Sequence, residues 1–196
     1  MSNHSTCEEN LYWGSARLGG FNRTLYNLLT MYKSKHKYRG HIVGDKLFWG
    51  DICKTKLKYV RNFVFANTNT LKACPYMPYH DPARPFVNHW FASTEGPDIH
   101  TFNRALSERN QDILEEEGGA CIMYTHLACG FAEEGSVHPY FKNLMQRLSK
   151  KNGWFVPVGT LLDFLLEIKG SHLISNTERK QLERRWLLHK LRVGRS

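Results

Sequence analysis

The feature that most restricts how this chain can fold is a glycine pair set between an amphipathic stretch and an unbroken apolar run. Thr101 to Glu117 carries Phe102, Ala105, Leu106, Ile113 and Leu114, largely at the spacing of one helical face. Gly118-Gly119 can take the left-handed backbone that ends a helix. Ala120-Cys121-Ile122-Met123-Tyr124 follows directly, a pattern suited to a parallel strand covered on both faces. The alternation then resumes. Pro139 opens a helix with Phe141, Leu144, Met145 and Leu148 in one stripe, closed by Lys150, Lys151 and Gly153. Trp154 to Val158 reads as a second strand, and Thr160, with Asp163 three residues on, starts a third helix holding Leu161, Leu162, Phe164, Leu165 and Ile168. Helix, strand, helix, strand, helix demands an α/β architecture with a parallel sheet and right-handed crossovers.

The first half repeats this less regularly. Asn22 is placed to cap a helix carrying Leu25, Leu28, Leu29 and Tyr32, Asp51 to cap another ending near Tyr59, and Arg61 to Ala66 and Val87 to Ser93 read as strands. Between Asn67 and Arg84, Pro75, Pro78 and Pro82 predict a long ordered loop instead of regular structure. No repeat or low-complexity stretch interrupts the chain, and at 196 residues with 41% hydrophobic and 13% aromatic content it can bury a sizeable core.

Charge separates the C-terminal end from the rest. Seven basic residues against two acidic ones between Thr177 and Ser196 supply five of the nine net positive charges. That segment is predicted to be a helix from Thr177 to about Arg192 that packs Leu182, Trp186, Leu187, Leu188 and Leu191 against the domain and leaves its basic side in solvent. A nucleic-acid interface is not expected, because no recognition module or ladder of stacking aromatics accompanies the charge. No apolar run is long enough to span a bilayer, and the N-terminus lacks the order of a signal peptide. The five cysteines form no CxxC pair, which fits reduced thiols and a cytoplasmic location.

The chemistry is expected where strands end. In a parallel α/β barrel the carboxyl ends of the strands face the active site, and His126 ends the most convincing strand of the chain. Tyr79, His80, Asp81 and Trp90, with Tyr76, His89 and Phe91 nearby, either line a sugar groove with aromatic faces or pack as a loop with a few satisfied polar tips. Cys121 and Cys129 flank His126, but Cys121 lies inside the strand and is not placed to share a ligand with it.

Three stretches together carry a resemblance: Leu114 to His126, Pro139 to Leu148, and Gly153 to Phe164. In order and character they are similar to the end of the polysaccharide deacetylase (NodB-like carbohydrate esterase) domain, over about 70 residues. The resemblance implies a partial or irregular (β/α) barrel over residues 1–170 with a packed basic helix over 171–196. It implies a hydrolase that removes acetyl groups from amino sugars or a related glycan, using a divalent metal, with zinc the first choice. His126 then takes the family's late general-acid role, which suits a group with an ordinary pKa near ~6.5. The family's metal motif is matched only by His4 and, less well, by Glu8, and its earlier strand with an Asp-Asp pair has no counterpart. Either the chain is the C-terminal part of a longer deacetylase-like protein, or it belongs to a branch that has lost the metal chemistry. Both imply weak or absent activity for this chain by itself. The alternative is a non-catalytic binding module whose basic C-terminal helix takes a polyanion or protein partner.

Overall fold

The computed structural model describes residues 1–193, so the end of the basic C-terminal stretch, with Arg195, lies outside the described part. After a 3-10 turn at Gly14–Arg17, the chain forms α1 (Gly20–Leu29), α2 (Gly50–Lys56), β1 (Tyr59–Phe65), α3 (Thr70–Ala73), β2 (Tyr79–His80) and β3 (His89–Glu95). There follow α4 (Ile99–Ala105), α5 (Glu108–Glu116), β4 (Met123–Tyr124), the hairpin β5 (Ala132–Glu133) and β6 (Ser136–Val137), α6 (Pro139–Leu148), α7 (Val158–Lys169), β7 (His172–Leu173) and α8 (Asn176–Val193).

The main sheet has the order β1-β3-β2-β7, with β4 also paired to β3. β1 and β3 run the same way: the His89 amide donates to the Lys58 carbonyl (3.1 Å) at one end and the Thr94 hydroxyl to the Asn67 carbonyl (2.8 Å) at the other. β4 is parallel to β3, with Met123 opposite Thr94 and Tyr124 opposite Glu95. β2 is antiparallel to β3 and parallel to β7. The protein is thus mixed α/β with a partly parallel sheet, and among the described residues that sheet does not close into a barrel.

The chain divides into two compact units. One comprises Met1–Phe63, Tyr76–Phe91 and the chain from Leu162 onward; the other comprises Val64–Pro75 and Ala92–Leu161. The division does not fall at residue 170, because α8 belongs with N-terminal segments: the Trp186 ring lies 5.8 Å from that of Tyr26 and 5.5 Å from that of Phe63. In the second unit Ile99, Phe102, Leu106 and Phe131 form the core, with the rings of Phe102, Phe131 and Phe141 meeting edge to face at 5.1–5.3 Å.

Three expectations change in length or kind. The helix predicted over 101–117 is two helices. Asp98 caps α4 in a reciprocal box with Thr101, and Ser107 turns extended (φ −52°, ψ 156°) while the Asn110 and Gln111 side chains take the freed carbonyls of Arg104, Ala105 and Leu106. The strand expected over 120–124 forms a ladder only at Met123–Tyr124, since the Thr70 hydroxyl and amide engage the Ile122 amide and Ala120 carbonyl upstream of it. Trp154 to Val158 is not a strand: Trp154 and Phe155 are 57% and 60% exposed, Pro157 has no amide to donate, and Val158 already begins α7.

Candidate functional site

In the second unit, threonines knit the strand ends. The buried hydroxyls of Thr70 and Thr94 are 2.8 Å apart, Thr94 also donates to the carbonyl of Asn67, and the Ile122 amide donates to the Thr70 hydroxyl (2.9 Å). This fixes the ends of β1, β3 and β4 against one another. Gly96, just past β3, is closely approached: a Cβ there would stand 2.7 Å from the Met123 sulfur and 3.1 Å from the Phe102 Cα, so both would have to give way.

His126 follows two residues after β4. Its amide donates to the Pro97 carbonyl (3.2 Å), its carbonyl accepts from the Cys129 amide (2.9 Å), and its Nε2 lies 2.6 Å from the Tyr124 hydroxyl, the two rings meeting edge-on at 5.0 Å. The ring is half-buried and tied at a defined orientation, at the strand end where the sequence places it. Asp98 stands on the neighbouring connection. Hydrogen bonds from the Thr101 backbone and side chain and the His100 amide hold its carboxyl below the usual range, so it is an ionised cap of α4. Cys121 is a packed thiol: burial pushes it up to about 11.

A polar cavity of about 280 Å³ opens just past β1, lined by Asn67, Thr68, Asn69, Lys72, Asn110 and Glu117 among others. Lys72 and Glu117 are ion-paired across it. His126 does not line this cavity, nor the cavities beside His80, Tyr12 and Phe21 in the first unit.

The residues expected to bind sugar are mostly elsewhere in role. Tyr79 is 2% exposed, Trp90 fully buried and Asp81 1% exposed. Tyr79 and Trp90 are cross-strand partners of β2 and β3, so their rings fill the core of the first unit and offer no face to a ligand. Asp81 accepts from Arg84 and Arg179. Of the four, only His80 reaches a cavity, an open one of about 490 Å³ with Lys58, Asn88, His89 and Ser171; its Nδ1 lies 3.0–3.1 Å from the Asn88 and Val87 carbonyls.

The expected metal pair does not fit a metal either. His4 Nδ1 lies 2.8 Å from the Thr6 hydroxyl, and Glu8 is paired with Arg39 (2.9 Å). Among the described residues no group of three or more His, Cys, Asp or Glu side chains is placed to hold an ion, whereas a zinc site needs about three protein ligands.

A scan against models of known protein families finds no match, and searches of curated proteins and of solved structures find none.

Sequence reasoning missed one polar constellation, in the first unit. Arg84 donates to Asp81, to Glu183 (3.2 Å) and to the Arg17 carbonyl, and Arg179 pairs with Asp81 (3.0 Å). Glu183 also accepts from the Gly19 amide (3.0 Å) and the Asn22 side chain (3.1 Å), so Asn22 serves α8 and does not cap α1. Asp81 and Glu183 are both 1% exposed, and Arg17 and Arg84 both 5%. The available signal was Glu183 itself, which shares the helical face of Leu182, Trp186 and Leu187 and stands one turn after Arg179. A wider, mostly apolar groove of about 720 Å³ runs between α1 and α8, with Phe21, Leu25, Leu188 and Leu191 on its walls.

Proposed function

We propose that the chain is a polysaccharide-deacetylase-like protein acting on an acetylated amino-sugar polymer or related glycan, and that His126 is the group that gives a proton to the departing sugar amine or hydroxyl. The observation that carries this reading is the place of His126: directly beyond β4, beside the parallel end of β3, with Nε2 held 2.6 Å from the Tyr124 hydroxyl. An imidazole held at a strand end is the kind of group that can hand a proton to a poor leaving group. The polar, amide-rich cavity past β1 offers donors and acceptors of the kind that recognise sugar hydroxyls. The reading keeps the chain as the closing α/β portion of a deacetylase-type domain in the cytoplasm, where its five unbridged thiols would persist. On this reading the chain by itself has weak or no hydrolase activity, since among the described residues no three metal-ligating side chains are grouped.

The test follows an N-acetylated chito-oligosaccharide by two readouts, the His126 ring resonances on titration and acetate release with added divalent ions. The oligosaccharide should shift the His126 signals, and His126→Ala should lower any acetate release by about 10²-fold. Unshifted resonances together with a rate untouched by His126→Ala would overturn the assignment.

A further inference from the structure

A cavity of about 200 Å³ in the first unit is walled by Tyr12, Arg23, His41, Arg84 and Arg179, brought together from four separate stretches of sequence. Two of its three guanidiniums are offset by carboxylates: Arg84 and Arg179 share Asp81 and Glu183. Arg23 is not. It lies exposed, and among the described residues its side chain's one hydrogen bond runs from Nε to the Leu18 carbonyl (2.7 Å), which leaves both terminal nitrogens to a ligand. Directly behind, Arg17 receives Arg84 on its carbonyl and stacks on Trp13 (3.6 Å) and Trp186 (4.6 Å), with no carboxylate in ion-pair reach among the described residues. Arg17, Arg23, Arg84 and Arg179 thus set four guanidiniums in and around the cavity against two carboxylates, Asp81 and Glu183, an excess of positive charge that a bound anion would offset.

His41 lines the cavity without adding charge. Its Nδ1 accepts the Tyr12 amide (3.1 Å), so the ring proton sits on Nε2. Burial, then the charges of Arg23 and Arg84, push its pKa down to about 4, which keeps it neutral. The volume is below the roughly 300–1,000 Å³ of pockets that enclose whole cofactors, so it suits a small group and not a nucleotide. Four guanidiniums against two carboxylates leave an excess of two positive charges, which a doubly charged anion balances, and guanidinium forks pair bidentately with phosphate oxygens.

We infer that this cavity binds a phosphate group, either free phosphate or the phosphate of a small monoester, with Arg23 and Arg179 as its principal ligands. The inference does not rest on the glycan reading, since neither His126 nor the cavity past β1 takes part.

Calorimetric titration of the whole chain with inorganic phosphate and with N-acetylglucosamine 1-phosphate tests it, alongside Arg23→Gln. Arg23 is exposed and makes one backbone bond, so this variant should fold with an unchanged melting temperature. Binding should weaken about tenfold or more in Arg23→Gln and stay the same in His126→Ala. Tighter binding of the sugar phosphate than of phosphate identifies a monoester ligand; equal binding identifies free phosphate. No binding of either compound at millimolar concentration, or binding that Arg23→Gln leaves unchanged, overturns the inference.

Discussion

The strand end that carries His126 and the cluster around Arg84 are both polar, but they are built in opposite ways. His126 is placed by its own neighbourhood: Tyr124, two residues before it, orients the ring, and Pro97 and Cys129 hold the backbone. The Arg84 cluster, apart from the local pair with Asp81, is made by contacts 67 to 164 residues apart, which join Arg17, Gly19, Arg179 and Glu183 to it. Loss of a local partner at the strand end should disturb one ring. Loss of a member of the cluster strands a charge in the interior, which is the costlier event.

The contrast is broken most directly at Glu183. Glu183→Ala leaves Arg84 buried with half its carboxylate partners and should destabilise the fold by about 3–5 kcal/mol in urea unfolding; a cost under about 1 kcal/mol would mean the cluster is hydrated and no different in kind from the strand end. Next comes the apolar side of the same helix. Trp186→Ala empties a site shared with Tyr26, Phe63 and the Arg17 guanidinium and should cost on the order of 3 kcal/mol.

Acidity sharpens the contrast by another route. His41 titrates near 4 in the folded protein and near its ordinary ~6.5 when unfolded, so between those values the unfolded chain binds the extra proton. Stability is complete above pH ~6.5 and falls as pH drops toward 4. His89, lowered by burial and by His80 and Lys58, acts in the same sense. The melting temperature measured across this window should decline in the native chain and decline less in His41→Gln. The smallest effects belong to exposed residues: Arg184→Ala and Trp154→Ala should each change stability by no more than about 0.5 kcal/mol, and a larger loss at Trp154 would show that its surface is covered.

Where a residue's environment is made by near neighbours, the sequence was readable. α6 and α7 follow their apolar stripes, β1 and β3 lie within two residues of their expected positions, and α8 buries Leu182, Trp186 and Leu187 as its pattern requires. Leu188 and Leu191 went the other way, 44% and 55% exposed, because that side of α8 borders the open groove along α1. Periodicity likewise could not tell the strand expected at Trp154 from an exposed connection, since a short apolar run specifies burial only if a partner strand arrives.

The sequence by itself determined the mixed α/β character, the burial of Leu182, Trp186 and Leu187 on α8, and the position of His126 after a strand, since each depends on spacing within about a dozen residues. Tertiary structure alone decided that Tyr79 and Trp90 are core, that Glu8 answers Arg39, and that Arg23, Arg84 and Arg179 meet at one cavity. Those outcomes rest on which distant segments pack together. A side chain's charge or ring has no fixed role until that packing settles whether its neighbour is water, carbon or an opposite charge.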